Sequence, residues 1–114
     1  MNKNWTIQYW HEENKASCVE TWLDLRTLQQ LKSIVKELKL LEYCGNQLRL
    51  PHSKALGEGL FELRERIYGY RIYFSFLPKN NIVLLHAGDK SSQKKDIAVS
   101  RTKLLQLQQR EGGK

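Results

Sequence analysis

The pattern of apolar and polar positions in the N-terminal half of the chain predicts one strand followed by two helices. Residues 5–10 (WTIQYW) alternate and are rich in β-branched and aromatic side chains, which is typical of a strand. Residues 16–25 have apolar side chains at helical spacing and predict a short first helix. Thr27 and Gln30 form a capping-box pattern that predicts the start of a second helix, and Gly45 marks its end. This second helix has one apolar stripe that we expect to face a sheet: Leu28, Leu31, Val35, Leu38 and Leu41.

In the C-terminal half, the pattern predicts a three-strand meander. Strand-like runs span residues 60–67, 70–77 and 81–87, and the connections between them are so short that neighbouring strands must be antiparallel. The third run is apolar in both phases, which predicts a central strand that is buried on both faces. A last helix follows the meander, and Ser91 or Ser92 is its expected cap.

Length and composition fit one globular domain. The chain has 114 residues, of which 40% are hydrophobic and 27% charged, so we expect a single domain over residues 1–114 with a disordered tail at 109–114. Together with the pattern, this predicts an α+β fold. Its parts are a small twisted antiparallel sheet (the N-terminal strand plus the three-strand meander), a helical hairpin packed on one face, and a C-terminal helix.

Several classes of protein do not fit the chain. No apolar run approaches the roughly 20 residues that a membrane span needs, and the first residues lack the apolar centre of a secretory leader, so we expect a cytoplasmic protein without membrane contact. Cys18 and Cys44 lack the CxxC spacing of a metal or redox pair, and the three histidines do not fall at ligand spacings. We therefore expect neither a metal nor a cofactor.

The positive charge is concentrated in one segment. The net charge is +7, yet residues 1–48 hold six cations and six anions, whereas residues 49–103 hold eleven cations against five anions. A basic surface of this kind raises the local concentration of polyanions, of which nucleic acid is the usual one. The charge distribution therefore predicts a nucleic-acid partner.

Strand alternation divides the meander into an apolar face and a basic face. The basic face of the first two strands comprises Arg64, Arg66, Arg71 and Tyr73, with Glu62 among them. The end of the third strand and the residues after it add His86, Asp89, Lys90, Lys94 and Lys95. If the apolar side packs on the helical hairpin, the cations converge on an open, concave face that binds a polyanion. The alternative is a solvated surface on which Glu62 and Glu65 pair with the arginines.

Three segments resemble a known family of toxins. They are residues 54–64 (KALGEGLFELR), 69–74 (GYRIYF) and 84–97 (LLHAGDKSSQKKDI). In order and spacing they resemble the RelE/HigB superfamily of toxins from type II toxin–antitoxin systems, most closely the branch of addiction-module killer proteins. The resemblance implies a small α+β domain with a twisted antiparallel sheet and two helices on one face. It also implies cleavage of mRNA in the ribosomal A site and neutralisation by a co-transcribed antitoxin.

The resemblance also implies roles for individual residues. Arg71 matches the arginine that contacts the scissile phosphate, Arg64 matches a basic strand residue that positions the RNA backbone, and Lys90 falls in a second basic cluster near the cleaved bond. Lys54 opens the first matching segment, and we expect it to bind RNA. This chain departs from RelE in one respect, because the stretch SSQKKDI lacks the catalytic tyrosine that follows that cluster.

Our hypothesis is a metal-independent endoribonuclease acting on ribosome-bound mRNA. Arg71 and Lys90 stabilise the transition state, and Arg64 and Arg66 hold the backbone. The remaining assignments are base stacking by Tyr73, proton transfer by His86 or Asp89, and accessory phosphate contacts by Lys94 and Lys95.

Two other functions remain open at this point. One is a ParE-like toxin that poisons DNA gyrase without cutting RNA, and the other is a catalytically degenerate module that only binds nucleic acid. In every case the expected partner is a cognate antitoxin, a helix-turn-helix DNA-binding protein with an acidic segment that covers the basic face in a hetero-oligomer.

Overall fold

The structure is a computed structural model that describes residues 4–13 and 15–112. Its elements, in chain order, are β1 (Thr6–Tyr9), α1 (Cys18–Asp24), α2 (Leu28–Cys44), β2 (Ser53–Gly57), β3 (Leu60–Glu65), β4 (Tyr70–Leu77), β5 (Asn81–Asp89) and α3 (Gln93–Gly112). None of the helices within the described ranges is both long enough and apolar enough to cross a membrane.

The five strands form one sheet in the order β1-β5-β4-β3-β2. The meander β3–β4–β5 is antiparallel, as its short turns require, and β5 is paired on both sides. The α+β class is therefore confirmed. Two features differ from the expectation: β1 pairs with β5 in parallel, and β2 adds a fifth, antiparallel strand beyond β3. We expected residues 47–59 to be irregular because Pro51 and two glycines interrupt them, but the short edge strand β2 fits between these breaks.

Helices cover both faces of the sheet. The expected helical hairpin, α1 and α2, packs on one face through a core that includes Val19, Ile34 and Leu41. Helix α3 packs on the other face, where Leu104 lies against Leu60, Tyr73 and Leu85 in a second core. The expectation of an open, concave basic face is therefore wrong, because α3 covers the middle of that face and leaves its cations at one end.

Helix α2 begins and ends where the sequence indicated. The Thr27 hydroxyl accepts a hydrogen bond from the Gln30 amide at 3.2 Å, and the Gln30 side chain accepts one from the Thr27 amide at 2.9 Å, so the capping box is confirmed. The buried face is rotated from the predicted stripe, since Leu28 and Val35 are 69% and 40% exposed, while Ile34 is buried. The apolar residues of α2 form two overlapping stripes on the helix, one with Leu28 and Val35 and one with Ile34. Spacing alone therefore did not identify which stripe is buried.

The start of α3 is set by Asp89, and the expected serine cap is wrong. The Asp89 carboxylate accepts hydrogen bonds from the amides of Ser91 and Ser92 at 2.9 and 3.3 Å, which fixes a short 3-10 turn before α3. Of the tail expected to be disordered, residues 109–112 continue α3, and residues 113 and 114 lie outside the described part of the chain.

A β-bulge at Leu85 changes which residues of β5 face α3. Phe74 is opposite Leu84 and Tyr73 is opposite His86, so Leu85 is an extra residue in β5. Leu85 packs in the α3-side core, and His86 contacts α3 as well. Strict alternation puts these two neighbours on opposite faces, whereas the bulge lets both face α3.

We predict that Gly45→Ala destabilises the fold more than Gly57→Ala. Both glycines have positive φ, +51° and +94°, so both alanines are strained by roughly 1–2 kcal/mol. At Gly45 a new Cβ also collides with the Trp5 indole, whereas nothing lies near a Cβ at Gly57. Overpacking adds about 1–3 kcal/mol at Gly45 only, measured as the free energy of unfolding in urea. Equal losses in the two variants would show that Trp5 does not pack on Gly45.

Candidate functional site

A small cavity of about 210 Å³ lies at the end of the sheet where β3, β4 and β5 approach one another. Four cationic side chains line it, and we call it the cation pocket: Arg64, Arg66, Arg71 and Lys90. Pro51, Glu65, Gly69 and Tyr70 complete the lining. Of the residues predicted for the site, these four cations are the ones that the structure brings together.

The register of the sheet explains why two of the arginines meet. Arg64 of β3 lies directly opposite Arg71 of β4, so their side chains leave the same face of the sheet side by side. The next residue across, on β5, is Gly88, which has no side chain. The Asp96 carboxylate occupies the space in which a Gly88 Cβ would stand. Two facing guanidinium groups repel each other and need an anion nearby.

Glu62 supplies that anion inside the protein. Its carboxylate is fully buried and accepts hydrogen bonds from Arg64 Nε at 2.8 Å and Gln93 Nε2 at 2.7 Å. Arg71 Nε lies 3.3 Å from Glu62 Oε1, an ion-pair contact without a hydrogen bond, and Arg71 Nη1 donates to the Gly69 carbonyl at 3.2 Å. One carboxylate thus pairs with two guanidinium groups, with Arg64 through a hydrogen bond and with Arg71 through charge, and it neutralises only one positive charge.

The second carboxylate at the pocket is that of Glu65, and it already accepts hydrogen bonds from other groups of the protein. It accepts hydrogen bonds from the Ser33 hydroxyl at 2.6 Å and from the amides of Ile67 and Tyr68 at 2.8 and 3.1 Å. These bonds close the β3–β4 turn against α2. Four cations against two carboxylates leave an excess of two positive charges around the cavity.

The exposed cations of the pocket carry this excess. Arg66 and Lys90 are exposed, and neither forms an ion pair within the part of the chain that the structure describes. The cavity is therefore lined on its exposed side by two cations without an internal ion pair among the described residues. A phosphate group has the size and charge to enter such a site.

Tyr73 is not available to stack a nucleobase, so that expectation is wrong. Its ring is fully buried under α3, and its hydroxyl has no hydrogen-bond partner among the described residues. Burial, followed by the nearby charges of Glu62 and Asp96, raises the pKa of Tyr73. A buried phenol that holds its proton this firmly is unsuited to act as a general base.

The two expected proton carriers lie outside the lining of the cation pocket. His86 is bound on the α3 side, with Nε2 3.0 Å from Asp96 Oδ1 and Nδ1 3.1 Å from Lys103 Nζ. Asp89 is exposed, and hydrogen bonds led by that of the Ser91 hydroxyl lower the pKa of its carboxyl. A carboxylate that is stabilised in this way is a weaker base than an ordinary aspartate.

The remaining predicted cations do not line the pocket. Lys54 is exposed on β2, opposite Glu62, and Lys94 and Lys95 are exposed in the first turn of α3. Sequence reasoning missed Gln93, which fixes the Glu62 carboxylate from α3. Within residues 4–13 and 15–112, no group of three or more histidine, cysteine or carboxylate side chains is arranged to hold a metal ion.

Comparison with known proteins places the cation pocket inside a recognised family segment. The family model described as phage-derived protein Gp49-like (DUF891) matches residues 22–105, which include every residue of the pocket. A Haemophilus influenzae protein, described as an uncharacterized protein, is 36% identical over 80 residues, which cover 68% of this chain and 77% of the relative. The chain therefore belongs to the phage-derived Gp49-like family, a toxin-like family of addiction modules.

Proposed function

We propose that this protein is the toxin of a type II toxin–antitoxin system and that it cleaves mRNA on the ribosome, as RelE and HigB toxins do. The observation that carries the proposal is the cation pocket, where four cations face one small cavity and two of them have no internal ion pair among the described residues. Membership of a toxin-like family supports the toxin role at a coarser level.

In the proposed mechanism, the pocket binds the phosphodiester that is cut. Attack by the ribose 2′-oxygen gives a phosphorane with one additional negative charge, and Arg71 and Lys90 face the place where this charge develops. Each preorganised donor of this kind contributes on the order of 10²- to 10³-fold in rate. Arg64 and Arg66 hold the flanking backbone, and the ribosome presents the mRNA in a pose suited to in-line attack.

The composition of the pocket lining also supports a second candidate function. It contains no imidazole, and the hydrogen bonds of Glu65 occupy the carboxylate there. A site with charge but without a free proton carrier suits a toxin that binds a nucleic acid–protein complex without cutting RNA, as in the gyrase-poisoning ParE branch. Trapped gyrase–DNA complexes in cells whose mRNA stays intact would favour this second function.

The proposed partner is a cognate antitoxin with an acidic segment. The excess positive charge of the pocket attracts carboxylates as well as phosphates. An acidic segment that becomes ordered over Arg66 and Lys90 would block the pocket directly.

We predict that Arg71→Ala and Lys90→Ala each abolish growth arrest when the protein is expressed alone. Each substitution removes a cation from the pocket, so cleavage on ribosomes should fall by about 10²-fold or more. Primer extension on transcripts after induction measures the cleavage. Lys36→Ala is the matched control, because it removes an exposed lysine on α2, away from the pocket. Full toxicity and unchanged cleavage in both pocket variants would refute the mechanism.

We predict that Glu62→Gln has opposite effects on stability and on anion binding. Loss of the buried charge leaves Arg64 and Arg71 without their carboxylate and should lower the free energy of unfolding by about 3 kcal/mol. The same change removes a repulsive charge next to the pocket, so the affinity for inorganic phosphate should rise about fivefold at low salt. Urea unfolding and isothermal titration measure the two effects. Glu58→Gln, at an exposed turn, is the control and should change neither.

We predict that co-expression with the cognate antitoxin restores growth and that added salt weakens toxin–antitoxin binding. Ions screen the attraction between the acidic segment and the pocket, so the dissociation constant should rise as salt increases from about 0.05 to 0.5 M. Binding in a salt series, followed by fluorescence anisotropy, measures this dependence. A dissociation constant that does not change with salt would exclude the cation pocket as the main antitoxin contact.

A further inference from the structure

A second polar cluster lies between α1, β5 and α3, apart from the cation pocket. We call it the thiol cluster, and it consists of Cys18, His86, Asp96 and Lys103. The ammonium group of Lys103 is its centre, and the Lys103 side chain is only 9% exposed. Lys103 Nζ lies 2.8 Å from Cys18 Sγ, 3.0 Å from the Leu85 carbonyl oxygen and 3.1 Å from His86 Nδ1.

These contacts match the hydrogen-bonding capacity of the ammonium group. An ammonium group has three N–H donors and no acceptor, and Lys103 has three acceptors around it. Lys103 Nζ lies within donating distance of His86 Nδ1, and Nε2 of the same ring lies 3.0 Å from Asp96 Oδ1. The Ser92 hydroxyl donates to the other oxygen of Asp96 at 2.5 Å. The imidazole is thus held between Lys103 and Asp96.

A buried ammonium group needs a negative partner, and Cys18 is the group in position to provide it. Leaving an ammonium ion buried without one costs several kcal/mol. No carboxylate forms an ion pair with Lys103 among the described residues, because Asp96 lies on the far side of His86. The Trp10 ring, whose centroid lies 5.0 Å from Lys103 Nζ, offsets only part of this cost through a cation–π interaction.

The electrostatics of the thiol agree with this geometry. Burial raises the pKa of the Cys18 thiol, but hydrogen bonds to His86 and Lys103 and the positive charge of Lys103 outweigh that effect, and the pKa is lowered. The thiol is nevertheless accessible, because Cys18 is exposed while Lys103 beneath it is buried. Access and thiolate character together are what make a cysteine reactive.

We propose that Cys18 is a modification site, a thiolate paired with the buried ammonium of Lys103, which reacts with small-molecule disulfides to form a mixed disulfide. In this step the Cys18 sulfur attacks one sulfur of the disulfide, and a new S–S bond forms as the old one breaks. The electron pair of the broken bond goes to the leaving sulfur, which takes up a proton from water. Cys18 is oxidised and the departing half of the reagent is reduced to a thiol.

The order Cys18–His86–Asp96 is also that of a nucleophile, a base and an orienting carboxylate in hydrolases. The geometry argues against that reading, because Lys103 occupies the Nδ1 lone pair that a general base needs for the thiol proton. That nitrogen also lies 3.9 Å from Cys18 Sγ, farther away than Lys103 Nζ at 2.8 Å. The ammonium group is therefore the nearest charged partner of the thiol, while both it and the imidazole lower the pKa of the thiol.

The test is the rate at which Cys18 reacts with the neutral disulfide 4,4′-dithiodipyridine. A neutral reagent is chosen because the positive charge of the protein does not attract it. In a Cys44→Ser background, which leaves Cys18 as the sole thiol, we expect fast reaction at about pH 6.5 and a rate profile whose midpoint lies below that of an ordinary thiol. In Cys18→Ser, the remaining Cys44 should react at least about tenfold more slowly at the same pH.

The role of the ammonium group is tested by Lys103→Met in the same background. The rate at about pH 6.5 should fall about tenfold, whereas the rate at about pH 9.5 should change little, because the thiol is ionised there in both proteins. Lys36→Met, at an exposed position of α2, is the matched loss of charge and should leave the whole profile unchanged.

An ordinary or elevated midpoint for Cys18 would overturn the proposal, as would an unchanged profile in a folded Lys103→Met variant. If near-UV circular dichroism shows that Lys103→Met does not fold, the thiolate absorbance of the Cys44→Ser protein near 240 nm, followed against pH, decides the question. None of these measurements uses RNA or a ribosome, so they are independent of the proposed toxin activity.

Discussion

The buried carboxylate of Glu62 is the constraint on which the site depends. A carboxylate without solvent is stable only when donors or cations surround it, and here Arg64 and Gln93 donate hydrogen bonds while Arg71 forms an ion pair. The same contacts hold two facing guanidinium groups in place in spite of their repulsion. Since one anion is shared between two cations, the region keeps a positive charge after the internal pairing is complete. The shared carboxylate is thus the reason both that Arg64 and Arg71 lie side by side and that the pocket stays cationic.

Helix α3 extends this arrangement across the sheet. Its inner face carries a polar row at helical spacing, made up of the half-buried Gln93 and the buried Asp96, Ser100 and Lys103. Gln93 reaches Glu62 beside the cation pocket, Asp96 reaches His86, and Lys103 reaches Cys18. The bulge at Leu85 is what brings His86 to this side. One helix therefore supports the proposed phosphate site at its first turn and the reactive thiol about three turns later.

The sequence predicted the features that depend on neighbouring residues. The capping box at Thr27, the meander and the shared face of Arg64 and Arg71 all follow from local spacing, and the structure has them. The features that the sequence did not predict depend on contacts between residues far apart in the chain, or on a change in the alternation of side chains along a strand. Beyond the bulge at Leu85, the side chains of β5 face the opposite side of the sheet from the one that strict alternation predicts. For this reason the sequence pattern did not place His86 near Lys103.

For a related reason, the sequence did not predict which face of the sheet helix α3 covers. Its inner surface mixes polar and apolar side chains, and a row such as Asp96 and Lys103 looks solvated until the partners on the sheet are known. The basic face was therefore expected to be open. Once α3 is in place, Tyr73 becomes a core residue, and the cations that remain accessible are those beyond the end of the helix, such as Arg66 and Lys90.

We propose that the pocket, after its internal pairing with Glu62, still binds an external phosphate. The most direct measurement is a titration of ¹⁵N-labelled protein with inorganic phosphate, observed at the arginine Nε–H signals and the backbone amides. We expect the earliest and largest shifts at Arg64, Arg66 and Arg71 and at the amides of the β3–β4 turn, with saturation as for a single site. Shifts spread evenly over the exposed lysines of α2 and α3, without saturation, would contradict the account.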